Sequence, residues 1–195
     1  MLLNKTLIYF TLIVTTVFAV STTVTETSSV ILTEKSRLFI NGKSNVNNFS
    51  CLYNIDKIKN PIAVTYSVKD NKIHFNKTTL LLNNTHFDCG GNGINRDFLK
   101  TLNTANYPQI ALTLNQIETT ETPSVLSALI TIQIAGVSRN YNIPVDVVKH
   151  KMLNVNGQLK LELTDFNLKA PSKLFGIISV EDNIEINFNL EIEEQ

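Results

Sequence analysis

The sequence predicts an all-β protein whose antiparallel strands close into a barrel with one short inserted helix. Three observations predict this class. Apolar residues alternate with polar ones in most segments, turn-forming Asn, Asp and Gly residues fall between the segments, and a single stretch has helical spacing. Strict alternation indicates strands with one buried and one wet face, which is the antiparallel pattern. A sheet of about eight strands must protect its edges, and closure into a barrel removes them completely.

The N-terminus has the pattern of a secretory signal peptide. Lys5 precedes an uncharged stretch from Leu7 to Val20, and small residues suitable for cleavage follow at Ala19 and Ser21. The apolar run is short for a bilayer-spanning helix, which needs about 20 residues, although an uncleaved anchor is the alternative. We therefore expect a signal peptide over residues 1–21 and a protein that is periplasmic or secreted.

The residues after the signal, 22–29, are rich in Thr and Ser with little apolar content. We expect them to form a flexible tether, and the folded domain to occupy residues 30–195, which is enough chain for one substantial core. The formal net charge of the chain is zero and no basic stripe is present. Because nucleic-acid binding needs clustered Lys and Arg, this class of function is excluded.

Alternation is clearest in six segments of the domain, with two shorter apolar segments beside them. The six are 62–68, 110–114, 128–134, 143–147, 159–163 and 184–192, and the two are 73–75 and 177–180. On the fifth of these strands, for example, Leu159 and Leu161 are expected to face inward and Lys160 outward.

Turn chemistry between these segments indicates hairpins. Asp70-Asn71, Asn156-Gly157 and Asp182-Asn183 each lie beside a strand-like segment, and Gly136 follows another. Asn, Asp and Gly tolerate the positive φ that tight hairpin turns require. We therefore predict turns at all four places.

One helix is predicted near the middle of the chain. Asn95 can cap its start, Asp97 suits the positive end of the helix dipole, and Phe98 and Leu102 have helical spacing. Asn103 and the Tyr-Pro pair that follows would end it.

The two cysteines, Cys51 and Cys89, are interpreted first as a structural disulfide. Disulfides persist in exported proteins. A redox pair or zinc ligands are the alternatives, but a redox pair usually has the Cys-x-x-Cys spacing, which is absent, and zinc would need further ligands at short spacing.

Catalytic chemistry finds little support in the sequence. His74, His86 and His150 are scattered, and no nucleophile–base motif is present. A site in which His86 and Asp88 act with Arg96 or Asp97 stays open, because catalytic partners can be remote in sequence. We expect no enzymatic activity, no cofactor and no metal.

From Ser36 to Glu193 the chain resembles the YceI-like family of exported lipid-binding proteins, and most closely its cysteine-containing branch, common in Bacteroidetes. The resemblance rests on the order and spacing of short phrases along the whole domain. The phrases are Gly42–Asn47 with Phe49 and Cys51, Asp88–Gly90, Asn95–Asp97, Tyr107–Ile110, Ile134–Arg139 with Tyr141, Ile143–Val145, Gly157, Asp165-Phe166, and Pro171 with Phe175-Gly176. The two cysteines and the Asn-rich loops depart from the more widespread branch.

The resemblance implies a lipocalin-like, eight-stranded barrel, in which some family members hold a polyisoprenoid chain. The function expected is to hold or shuttle an isoprenoid or quinone, and transient membrane contact and a homodimer are compatible with it. The alternatives are a ligandless structural or protein-interaction barrel and a small-molecule enzyme. The candidate ligand contacts are the apolar residues that the alternation places on the inner face of the strands. They are Val64, Tyr66, Leu112, Ala128, Ile130, Ile132, Ile186 and Phe188.

Overall fold

A computed structural model of the protein describes residues 24–173 and 177–195, and contains twelve strands and one α-helix there. The strands are β1 (Thr25–Leu32), β2 (Arg37–Ser44), β3 (Asn48–Tyr53), β4 (Ile62–Lys69), β5 (Lys72–Asn83), β6 (Phe87–Asp88), β7 (Gln109–Thr119), β8 (Val125–Ile134), β9 (Val137–Lys149), β10 (Leu153–Glu162), β11 (Ser172–Lys173) and β12 (Ile178–Glu194), and the helix is α1 (Asn92–Thr101). Single 3-10 turns follow β3, β5 and β10. No helix in these two ranges is long and apolar enough to cross a bilayer.

Eight of the strands form a closed antiparallel ring, which confirms the predicted fold. The order is β1-β4-β5-β7-β8-β9-β10-β12, and β12 pairs back with β1 through Leu32 and Ile192. Strand β12 supports the ring on both of its edges, because it pairs with β10 on one side and with β2 and then β1 on the other. Ring closure leaves no free edge in this part of the sheet.

One end of the barrel is extended by β2, β3, β6 and α1, and we call it the helix end. β3 pairs with β2, and the two-residue strand β6 pairs with β3. β5 and β7 stay paired up to Asn83 and Gln109. Beyond that pair the chain passes through β6 into α1, whose Phe98 ring lies 5.2 Å from the ring of Phe87. The helix therefore extends the wall beyond the point where the β5–β7 pairing ends.

Strand register brings the alternating apolar residues onto the inner face. Leu112 lies opposite Ile132, and Leu161 lies opposite Ile184. Ile132 is only 1% exposed, whereas its neighbour Gln133 is exposed on the outer face. The period-two prediction is confirmed for these strands.

Two of the four predicted turns are confirmed. Asp70 and Asn71 have φ values of 52° and 59° between β4 and β5, and Ala135 and Gly136 have values of 47° and 82° between β8 and β9. Paired positive φ angles are the signature of the tight hairpin turn whose twist matches its strands.

The other two predicted turns are wrong. Asn156-Gly157 lies inside β10, and Asp182-Asn183 lies inside β12, where the pairing with β2 shifts register between Val180 and Ile184. Gly157 is needed for a close contact instead of a turn. A Cβ atom there would lie 2.3 Å from Cζ of Phe188, whose ring covers the glycine from the opposite strand.

Gly157→Val is therefore expected to lower the free energy of unfolding by about 1–3 kcal/mol, the usual cost of overpacking. Gln158→Val is the matched control, because this neighbour is exposed and a β-branched side chain suits a strand. Urea unfolding of both variants measures the difference. Equal stability of the two would show that Phe188 has free space into which to move.

The N-terminal tether and the helix start also differ from expectation. Residues 25–29, expected to be part of a tether, pair with β4 as the first half of β1; Thr-rich sequence suits a strand when a partner is present. Residues 1–21, the expected signal peptide, lie outside the described ranges.

The helix starts at Asn92 after Gly91, and Asn95 is not its cap. Asn103, with a φ of 51°, follows the helix as predicted.

Candidate functional site

A cavity of about 650 Å³ lies inside the helix end of the barrel. Its floor is formed by strand residues that are almost completely shielded from solvent, including Ile110, Ile134 and Leu161. Successive turns of α1 contribute Ile94 and Phe98 to the wall, and Leu102, directly after the helix, adds a third apolar side chain. The remaining apolar wall comes from the following residues of β2, β3, β12 and the chain beside them: Ile40, Val46, Phe49, Cys51, Cys89, Leu163, Pro171, Ile178, Val180, Ile184 and Ile186.

Polar groups occupy the mouth and one side of this cavity. Asn47 and Asn48 are exposed at the β2–β3 turn, and the hydroxyl of Ser44 donates to the carbonyl oxygen of Asn47 over 2.9 Å. Asp97 and Thr101, one helical turn apart on α1, face the cavity between apolar neighbours. The site thus combines an apolar floor with a few polar groups, which is the usual composition of a small-molecule pocket.

Some inner-face residues beyond the cavity are only partly buried. Leu112, Leu114 and Ile130 belong to the inner face in the middle of their strands, yet each keeps partial exposure. These side chains are therefore less completely shielded than Ile110 and Ile134 at the helix end.

The eight candidate ligand contacts all belong to this inner face, but only Ile186 is on the wall of the cavity. Five others are partly exposed inner-face residues, namely Val64, Tyr66, Leu112, Ile130 and Phe188. Ala128 and Ile132 are buried, with 4% and 1% of their surface exposed. The hydroxyl of Tyr66 donates to the carboxylate of Glu26 at 2.5 Å, at the end of the barrel away from the helix.

Sequence reasoning missed most of the cavity wall. The walls from β2, β3 and α1 lie in segments without a long alternation. A signal was present for the helix, since Ile94, Phe98 and Leu102 recur every fourth residue, which predicts one apolar helical face. That pattern does not tell which side of the barrel the face covers.

A disulfide joins Cys51 of β3 to Cys89, which follows β6, with their Cα atoms 3.9 Å apart. Both cysteines border the cavity, and Cys51 is completely buried. Asn95 adds a second attachment, because its side-chain oxygen accepts from the N–H of Cys89 over 2.7 Å. The segment that leads into α1 is therefore fixed to β3 by a covalent bond, and the first turn of α1 is attached to that segment by a hydrogen bond.

Of His86, Asp88, Arg96 and Asp97, the residues that could have formed an acid–base site, only Asp97 borders the cavity. Asp88 accepts hydrogen bonds from the side chain of Asn95 and the N–H of Gly90, each over 3.0 Å, and these bonds lower the pKa of its carboxyl group. His86 lies 3.5 Å from the hydroxyl of Tyr53, whose pKa is raised by burial. Asp88 thus has a structural role at the start of α1. No cluster of three or more potential metal ligands occurs within the two described ranges.

A second depression, of about 540 Å³, lies on the outer face of the barrel. Its lining mixes polar residues such as Asp146 and Asn187 with apolar ones such as Phe39, Pro144 and Phe188. It is more open than the cavity at the helix end and lacks a continuous apolar wall. The cavity at the helix end is therefore the better candidate site.

Solved structures share this architecture at low sequence identity. The chain is similar to BcnA of Burkholderia cenocepacia, with a TM-score of 0.63, 16% identity, and coverage of 82% of this chain and 96% of that one. It is also similar to a polyisoprenoid binding domain of Saccharophagus degradans, implicated in plant cell wall breakdown, with a TM-score of 0.57, 12% identity, and coverage of 86% and 98%. At such identities the likeness shows the fold alone.

The sequence itself identifies the family. No curated protein sequence gives a significant match. The model of the YceI-like domain, however, matches residues 23–192, which include the helix that borders the cavity and the whole ring except the last two residues of β12. With this match over most of its length, the chain belongs to the YceI-like family.

Proposed function

We propose that this protein is an exported lipid carrier that holds an apolar chain, an isoprenoid or a quinone, inside its barrel. The observation that carries the proposal is the apolar cavity of about 650 Å³ at the helix end. Small-molecule sites commonly have volumes of about 300–1,000 Å³. The polyisoprenoid binding named for the Saccharophagus degradans domain agrees with this ligand class.

Burial of hydrocarbon supplies the binding free energy in this proposal. Each methylene transferred from water contributes about 0.8 kcal/mol, so a chain of a few isoprene units is held tightly without ionic contacts. The chain starts in the cavity and passes Ile186 toward Phe188 and Ile130, whose partly exposed side chains continue the inner face. The other predicted contacts, Val64, Tyr66, Leu112, Ala128 and Ile132, belong to the same proposal.

Export is supported by two independent features. The first 21 residues have the charge and apolar pattern of a signal peptide, and disulfides such as Cys51–Cys89 persist in oxidising compartments. We therefore place the protein in the periplasm or outside the cell. Binding without catalysis completes the proposal, because the cavity offers apolar side chains and few polar groups.

Solvent extraction of protein purified from its own host, followed by mass spectrometry, tests this proposal directly. A co-purified isoprenoid or quinone in near-stoichiometric amount is the expected result. Absence of any apolar ligand, together with failure to retain an added fluorescent prenyl alcohol, would leave the ligandless interaction barrel as the better interpretation.

Thr101→Phe is expected to weaken retention of the fluorescent prenyl alcohol at least tenfold, because the larger side chain occupies the cavity from the last turn of α1. Lys100→Phe is the matched control on the adjacent, exposed position of the same helix. Fluorescence titration gives both dissociation constants, and circular dichroism checks folding. A loss of equal size in Lys100→Phe would contradict a ligand in this cavity.

A further inference from the structure

The mouth of the cavity carries two exposed apolar side chains, which we call the apolar rim: Val46, 58% exposed, and Ile177, 69% exposed. Val46 belongs to the β2–β3 turn and also borders the cavity. Ile177 immediately precedes β12, and the next residue, Ile178, is on the cavity wall. The rim therefore lies where a ligand would enter.

Asn45 holds the two parts of the rim together. Its side-chain nitrogen donates to the carbonyl oxygen of Ile177 over 2.8 Å, and its side-chain oxygen accepts from the N–H of Ser179 over 3.1 Å. A backbone bond from the N–H of Asn45 to the carbonyl oxygen of Ser179, also 3.1 Å, completes the attachment. The turn that carries Val46 is thus attached to the backbone of Ile177 and Ser179 by three hydrogen bonds.

The charge and size of the rim indicate which partner fits it. Two charges close to the rim, those of Lys43 and Glu181, form an ion pair 3.3 Å long and offset each other. One cation, Lys173, lies opposite Ile178 in the β11–β12 pairing and so is close to the rim. Two side chains cover far less area than the roughly 800 Å² per partner that a stable protein interface buries. A small apolar surface suits shallow insertion among lipid chains, which needs no shape complementarity.

We propose that the apolar rim docks the cavity mouth onto a phospholipid bilayer, so that an apolar chain passes between the bilayer and the barrel without crossing water. This inference rests on the proposed carrier function for its purpose, but the docking itself is measurable without any ligand. Because the contact is apolar, zwitterionic lipid suffices and added salt has little effect on binding.

Flotation with phosphatidylcholine vesicles tests the docking. Wild type, Val46→Asp and Ile177→Asp are compared with Val68→Asp, whose side chain is 60% exposed at the β4–β5 hairpin, at the opposite end of the barrel. All proteins are purified by one route, and intact-mass spectrometry verifies their N-termini, since a retained apolar leader would bind vesicles by itself. Size-exclusion chromatography of the same samples reports the oligomeric state.

The expected result is flotation of wild type and Val68→Asp in both low and high salt, and at least a fivefold smaller floated fraction for each rim variant. Ile177→Asp should also slow the transfer of a fluorescent prenyl alcohol from vesicles. The inference is overturned if wild type does not float, if it floats only on anionic vesicles, if Val68→Asp loses as much as the rim variants, or if Ile177→Asp instead dissociates a dimer. Flotation without ligand retention would reject the carrier function but support the docking. Ligand retention without flotation would support the carrier function but reject the docking.

Discussion

Ile132→Asp is expected to prevent folding, whereas Gln133→Asp beside it should change the free energy of unfolding by less than about 0.5 kcal/mol. Ile132 is 1% exposed and lies between Leu112 and Arg139 on the neighbouring strands. A carboxylate there would lose its hydration, and the exposed Arg139 would have to give up its own hydration to pair with it, so the penalty is still several kcal/mol. Gln133 faces solvent, so its replacement meets no such cost.

Circular dichroism and urea unfolding distinguish the two variants. The structure predicts loss of the β-sheet signal, or recovery only as aggregate, for Ile132→Asp alone. Similar tolerance at both positions would mean that β8 has been assigned the wrong inner face. Ile132→Val provides the conservative control, with an expected loss of about 0.5–1.5 kcal/mol.

Removal of both cysteines, Cys51→Ala with Cys89→Ala, should lower the free energy of unfolding by about 4 kcal/mol. The bridge closes a loop with a sequence separation of 38, and the chain-entropy model gives that cost for a loop of this size. The double variant avoids an unpaired thiol beside the cavity. Urea unfolding under non-reducing conditions measures the difference from wild type.

Non-reducing peptide mapping of the exported protein supplies the control for this prediction. The peptides that contain Cys51 and Cys89 should be recovered as one linked species. Two free thiols in freshly exported protein would contradict the bridge. Ligand retention should fall as well, because the segment that leads into α1 loses its covalent attachment to β3.

The strands of the ring were largely predictable, because a sheet with one buried and one solvent-exposed face requires apolar and polar residues to alternate within each strand. In the middle of β8 and β9 the inner residues are apolar and most outer residues are polar, so the pattern of Ile130 and Ile132, or of Ile143 and Val145, determines the strand and its face. The hairpin at Asp70-Asn71 was predictable for a similar reason, since its positive φ angles restrict the residue types.

The strands before residue 54 were harder to predict, because their local pattern is weak. β1 begins with Thr and Ser residues whose strand structure depends on pairing with β4. β2 places Phe39 on the outer face between buried Leu38 and Ile40, which hides its alternation. In β10, Gly157 reads as a turn residue because its true role, contact with Phe188, depends on a partner far along the chain.

The cavity could not be derived from the sequence, because it depends on the height of each strand along the barrel axis and on the tilt of the strands. Inner-face residues are recognisable by phase, but register determines which of them lie at the helix end. Ile186 and Phe188 share a face and differ by two positions, yet only Ile186 borders the cavity. The bulge between Val180 and Ile184 contributes to this placement, and nothing in the residues themselves reports it.

The position of β12 has a consequence for the order of assembly. This strand joins β10 to β2 and to β1, so the ring cannot close until residues near the end of the described chain have reached those near its beginning. Contacts of such long sequence separation make folding slow, because loop closure precedes the gain from pairing. For the proposed export this delay is an advantage, because the barrel can form only after its last strand has passed through a secretion channel.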